Sequence, residues 1–153
     1  MSIVHELFIR GKRGSFFRVT FDEIIGFPNE TSIWGGYDVN GTVEIKSGNY
    51  YVKGELWFST GEIYEFHQQL IRCWSELNGS ASFRPSADRC LELIVVFNNR
   101  GQVILEGTYT EFASEQNELK FEFESDQGFY EETNDMLLTI TKHYGGLKGV
   151  RKD

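Results

Sequence analysis

Glu122 and Glu124 stand two apart in the stretch Asn117-Glu-Leu-Lys-Phe-Glu-Phe-Glu-Ser-Asp126, which puts two carboxylates on one face of a strand. Such a pair can bind a cation, flank a sugar or divide the work of a general acid and base. Carboxylates are abundant in this chain, so a solvated strand face accounts for the pair better than catalysis does. His5, His67 and His143 lie far apart in sequence, with no i, i+4 spacing and no Cys or Asp cluster beside them, and a metal site has no support. His143 falls in the last turn of a predicted helix, where a cation complements the helix dipole, and His67 reads as a satisfied or exposed helix residue. Gly11-Lys-Arg-Gly14 joins strand to strand, which makes it a hairpin turn and not a phosphate loop. There is no G-x-S-x-G elbow and no Cys with a matching His and Asn. No residue type in these patterns points to a catalytic residue, a metal or a cofactor. Trp34 and Tyr37, set among turn formers in residues 27–37, could stack on a ligand or anchor a partner, although with 13 Phe, 7 Tyr and 3 Trp most aromatics must be core.

The elements that would carry these residues are legible from periodicity. Leu119, Phe121 and Phe123 alternate with Glu118, Lys120, Glu122 and Glu124, the pattern of a strand with one face on a core and the other on water or a partner. Strands are predicted at 4–9, 15–21, 41–46 and 50–59, and again at 80–84, 91–97, 102–112 and 118–124. Ser59-Thr-Gly-Glu62 has the form of a capping box, and Ile63, Phe66, Leu70 and Cys73 or Trp74 follow at helical spacing until Asn78-Gly79 supplies a left-handed stop. A closing helix is predicted over 128–144. The order is β4-α-β4-α: an α+β fold in which a curved antiparallel sheet of about eight strands is packed by two helices. Residues 1–145 are expected to form a single domain and 146–153 a frayed tail.

Charge narrows the partners. The formal net charge is −8, and residues 101–135 hold ten carboxylates against Lys120 alone, while Arg10, Lys12, Arg13 and Arg18 face only Glu6 in the first twenty residues. An acidic surface repels phosphates, which disfavours direct nucleic-acid binding by the C-terminal half and favours a basic protein partner. A composition of 40% hydrophobic and 25% charged residues excludes global disorder. The start lacks a charged leader with an apolar stretch behind it, and no run approaches a membrane span, so a cytoplasmic location is expected. Cys73 and Cys90, without C-x-x-C spacing, read as reduced thiols. A strand at the end of the meander offers an edge to a second copy, which leaves a homo-oligomer open without predicting one.

The second half resembles the WapI-like immunity proteins of bacterial polymorphic toxin systems. Trp57-Phe-Ser-Thr-Gly-Glu-Ile-Tyr-Glu-Phe-His-Gln-Gln-Leu70 carries the F-x-x-x-L of a first helix in Phe66 and Leu70, and Leu77-Asn-Gly79 ends it. Gly101 and Gly107 punctuate the following strands, and Phe121, Phe123, Ser125, Asp126 and Gln127 match an F-x-F-x-[ST]-D-Q entry to the last helix. The resemblance covers about residues 40–142, and most shared positions are structural; Asp126 or Ser125, for example, can accept from free amides of the closing helix's first turn. It implies a cytoplasmic, non-enzymatic antitoxin that binds a cognate C-terminal toxin domain. Many such toxins are nucleases, whose basic grooves an acidic face could fill in place of phosphates. On that basis Glu118, Glu122, Glu124, Asp126, Glu131, Glu132 and Asp135 are the expected partner-binding residues, with Trp34 and Tyr37 as candidate aromatic anchors. The competing readings are a ligand-binding module with a pocket near Trp34, Tyr37, Tyr50 and Tyr51, and a small hydrolase built on Glu122 and Glu124.

Overall fold

The computed structural model describes residues 4–112 and 114–150. Its strands are β1 (Glu6–Arg10), β2 (Phe16–Ile25), β3 (Asp38–Ser47), β4 (Tyr50–Ser59), β5 (Gly79–Phe83), β6 (Leu91–Phe97), β7 (Gln102–Thr110) and β8 (Glu118–Asp126), and its helices are α1 (Thr60–Glu76) and α2 (Tyr130–Tyr144). The expected α+β class holds, with the eight strands divided into two open antiparallel meanders, β1-β2-β3-β4 and β5-β6-β7-β8. The division falls where α1 separates β4 from β5 in the chain.

Alternation decides what each sheet buries. Leu7, Ile9, Phe17, Val19, Val43, Ile45 and Leu56 from the first sheet join Leu93, Val95, Leu105, Phe121 and Phe123 from the second in one buried cluster. Each such side chain removed from water contributes about 1.5–3 kcal/mol, so the shared core holds the two meanders together. Polar ties span them as well: the Tyr109 hydroxyl donates to the Glu55 carbonyl at 2.9 Å, and Ser47 Oγ donates to the Glu122 carbonyl at 3.1 Å. Gly54 has to lack a side chain here, because a Cβ would collide with the Tyr109 hydroxyl.

The helices close the remaining flank. Ser59 and Glu62 form the expected reciprocal cap, with Glu62 N donating to Ser59 Oγ at 3.1 Å and Ser59 N to Glu62 Oε1 at 3.0 Å. Ile63, Phe66, Leu70 and Cys73 are the buried stripe of α1. The left-handed residue at its C-terminus is Leu77, at φ 52°, one position ahead of the expected Asn78-Gly79. Asp126 Oδ1 accepts from Gly128 N at 2.7 Å and starts a short 3-10 turn, Gln127–Phe129, that leads into α2. Helix α1 packs on β5, α2 packs on β1, and the two pack on each other.

Side chains tie down the outer strands. Thr133 Oγ1 donates to the Phe8 carbonyl on β1, Trp57 N on β4 donates to Asp88, Ser82 N on β5 donates to Gln69, and the Glu122 carbonyl on β8 takes the Ser47 hydroxyl. A second copy pairing along these edges would have to displace those bonds. The tail folds back on the loop before β3: Leu147 O accepts from Gly36 N at 2.7 Å and Val150 N donates to the Tyr37 hydroxyl at 2.8 Å. Residues 151–153 of the expected tail lie outside the described residues.

Candidate partner-binding surface

The acidic residues sit in two places. Glu118, Glu122 and Glu124 lie on the outward face of β8, alternating with the buried Phe121 and Phe123. Glu131, Glu132 and Asp135 lie on the first turns of α2, where carboxylates near a helix N-terminus are favourable. Asp126 links the two groups and is occupied as the cap of the turn between them.

Four of the seven are engaged within the molecule: Asp126 as that cap, Glu118 by the Thr110 hydroxyl, which donates to it at 3.4 Å, and Glu124 and Glu132 by ion pairs. Lys12 Nζ lies 3.0 Å from Glu124 Oε1, and Arg10 Nη2 lies 3.3 Å from Glu132 Oε1. The basic N-terminal segment therefore neutralises part of the acidic face across more than a hundred residues of chain. What brings it there is the isolated bridge between Gly11 and Ser125, reinforced by Ser125 Oγ donating to the Arg10 carbonyl. Gly11 has to be glycine at that crossing, because a Cβ would collide with the Phe123 ring. Both ion pairs are solvent-exposed, and such pairs contribute about 0–1 kcal/mol.

Glu122 has no such partner. The register sets it directly opposite Glu106 of β7, on the same outward face, with Ile104 opposite Glu124 and Thr108 opposite Lys120. Directly opposed side chains have Cβ atoms about 4.5–5.5 Å apart, and like charges there are destabilising. Neither Glu106 nor Glu122 makes a side-chain hydrogen bond or ion pair among the described residues, Lys120 included. Inward of the pair on the same face, Ile94, Val96 and Ile104 are half-buried. An apolar patch bordered by two uncompensated carboxylates is suited to a cationic, partly apolar partner. Glu106 is one of the ten carboxylates of residues 101–135, and composition alone gives it no role; the β7–β8 hairpin register, projected from the alternation of both strands, is the signal that places it.

Trp34 and Tyr37 separate. Tyr37 has no exposed surface, packs edge-on to Phe27 at 5.0 Å, and donates its hydroxyl proton to the Pro28 carbonyl, so it is a core residue and is removed from the anchor candidates. Trp34 is 41% exposed beside Ile33, which is 89% exposed. Their loop is braced by Trp34 N to Ser32 Oγ, Gly61 N to Gly35 O and Gly36 N to Leu147 O, so the apolar tip is presented on fixed backbone. Tyr50 and Tyr51 stand at the opposite end of β4, at the turn after β3, whereas the Trp34 loop bonds to Ser59. The pocket expected from all four does not form, because the length of β4 lies between its two halves.

The titratable groups elsewhere are structural. His67 is buried and its Nε2 meets Asn134 Oδ1 at 2.7 Å, while Nδ1 has no partner among the described residues. Burial holds its pKa below 6.5. His5 is lowered by burial and then by His143, whose ring centroid lies 5.0 Å away. Cys73 and Cys90 are free thiols, and burial with the Asp88 hydrogen bond pushes Cys90 up to about 12, which leaves it protonated and unreactive. Among the described residues no three His, Cys, Asp or Glu side chains could hold a metal ion, and no helix is long and apolar enough to cross a membrane.

Comparison with known proteins adds one match. The model for the immunity protein WapI-like family covers residues 8–145, nearly the whole chain. No curated protein and no solved structure matches it.

Proposed function

The chain belongs to the WapI-like immunity protein family, and from this premise we propose that it neutralises a cognate toxin domain by binding and occluding it, with the outward face of β7 and β8 as the charged part of the contact. Family membership supports an immunity role and action by binding without catalysis. The observation that carries the finer reading is the Glu106–Glu122 pair, two opposed carboxylates that meet no cation among the described residues. A monomer bears the repulsion; a partner that inserts Arg or Lys between them removes it.

The toxin is read as basic and as a nuclease, met in the cytoplasm. A groove that holds nucleic-acid phosphates must be lined with Lys and Arg, and carboxylates spaced along a rigid strand can occupy those cations in place of phosphates. Glu118 and Glu122 extend the contact along β8. Long-range attraction would raise the association rate toward about 10⁸–10⁹ M⁻¹s⁻¹ at low salt.

Titration calorimetry against the catalytically disabled toxin domain encoded immediately upstream, at two salt concentrations, tests the proposal. Tight one-to-one binding that weakens as salt rises is the expected result. Tight binding indifferent to salt would keep immunity and move the contact to the braced loop of Ile33 and Trp34. Absence of binding by a folded, demonstrably toxic partner would remove the proposal and return the chain to the class of ligand-binding modules.

A further inference from the structure

A groove of about 440 Å³ runs along the outer side of the α1–α2 pair. Its walls are Ile71 from α1 and Leu138 from α2, 39% and 50% exposed, and Trp74 lies in it, stacked on Tyr130 at 4.6 Å and 16°. The buried stripe of α1 runs through Phe66, Leu70 and Cys73, so Ile71 extends the apolar surface outward from it, and the half-buried Trp74 packs against the core as well as lining the groove. On the α2 side the groove is bordered by Glu131 and Asp135, one helical turn apart. Like charges at that spacing disfavour the helix, and neither carboxylate has a hydrogen bond or ion pair among the described residues.

Charge decides the occupant. Two free carboxylates beside an apolar trough repel nucleic acid and an anionic lipid surface. A second copy docking through a two-fold axis would set the same surface against itself, bringing Glu131 and Asp135 toward their own counterparts. A segment of another protein with an apolar stripe and flanking Lys or Arg satisfies both features, and a trough between two packed helices has the shape that accepts a third helix. We propose that the α1–α2 groove is a second docking site for the toxin and takes a basic amphipathic helix of it, one apolar side chain seated between Ile71 and Leu138 against Trp74, and its cations on Glu131 and Asp135. This rests on the immunity reading and extends it to a surface separate from the β7–β8 face.

The test uses the full chain and two exposed double variants, I71S/L138S and E131Q/D135Q, with unchanged thermal unfolding as the check on folding. Against the disabled toxin domain each is expected to weaken binding by about tenfold or more, mainly through faster dissociation. Only E131Q/D135Q should also flatten the salt dependence. Wild-type affinity in both variants would overturn the groove assignment and leave immunity intact. A second arm does not depend on the toxin: a designed Leu/Lys amphipathic helical peptide is titrated while the methyl resonances of Ile71 and Leu138 are followed. Shifts centred on those methyls support the site, even where the upstream domain itself fails to bind and the immunity reading falls. Shifts confined to β8 overturn it. Sedimentation showing a dimer that I71S/L138S dissolves would give the groove to a second copy and overturn it too.

Discussion

The outward faces of the two sheets both carry charge, and they treat it differently. On the first sheet Arg18 lies at the centre, its guanidinium 4.8 Å from the Phe8 ring and 5.1 Å from that of Phe16. Its Nε is 3.3 Å from Glu6 and its Nη1 3.5 Å from Glu44, which also receives the Tyr51 hydroxyl at 2.7 Å. The Nε lacks hydrogen-bond geometry toward any acceptor among the described residues, so its link to Glu6 is a charge contact only. On the second sheet Glu106 faces Glu122 with no cation in contact among the described residues. A charge answered within the chain, as Arg18 is and as Glu124 is by Lys12, contributes to the fold, while the Glu106–Glu122 pair is left to meet a partner. The distinction depends on pairing, and a count of carboxylates misses it.

The largest effect that could break this contrast is charge reversal on the second sheet. E106K/E122K should weaken toxin binding by about a hundredfold or more, since like-charge juxtaposition across an interface costs several kcal/mol. The free protein should melt within a few degrees of wild type, because the pair stabilises nothing in it. Calorimetry and thermal unfolding on the same preparations would show both, and wild-type affinity would end the assignment. The mirror experiment is Arg18→Ala. It removes two cation–π contacts and two ion pairs at a partly buried site and should cost about 1–2 kcal/mol of stability in denaturant unfolding, with toxin affinity unchanged. A matching loss of affinity would mean that the first sheet also meets the partner.

Local signals made most of the fold legible. The Ser59–Glu62 box and the alternation through Leu119, Phe121 and Phe123 depend on neighbours within four residues, and the elements form where those signals place them. Long-range decisions were not legible. Alternation tells which side of a strand is buried and says nothing of which strands share a sheet, so the break between β4 and β5 could not be read from it. Tyr37 sits in a glycine-bearing loop that looks superficial, and it is buried by Pro28 and by Val150, which is 113 residues away. The engagement of Glu124 by Lys12 spans 112 residues and likewise has no local trace. The acidic character of the candidate surface was plain from composition. Which of its carboxylates were already engaged was not.

A smaller effect checks that the contrast belongs to the faces and not to the molecule's titration as a whole. His5 and His67 are both held below 6.5 by burial, so the folded state resists protonation. As pH falls through 6.5 the unfolded chain takes up protons first. Stability is therefore full above that value and declines below it, by at most about 1.4 kcal/mol per histidine for each pH unit. Denaturant midpoints between pH 7.5 and 5.5 should show the decline. His67→Gln, which replaces the buried imidazole by a side chain that does not titrate, should shallow it; an unchanged slope would show that His67 is not the group responsible.

The smallest effect separates binding from folding within a single residue. Glu122→Gln keeps the shape of the side chain, its place opposite Glu106 and the backbone carbonyl that accepts from Ser47, and removes only the charge. A side chain retained for the fold would make the protein weaker when neutralised. Here the substitution relieves a like-charge pair, so the free protein should gain a few tenths of a kcal/mol, the low end of the range for cross-strand pairs. Toxin binding should weaken in the same variant and lose part of its salt dependence. Gains in stability that accompany losses in affinity are the mark of a residue selected for its partner. If Glu122→Gln instead lowered the unfolding midpoint, the carboxylate would be stabilised by its own chain, and the contrast between the two faces would fail at its central residue.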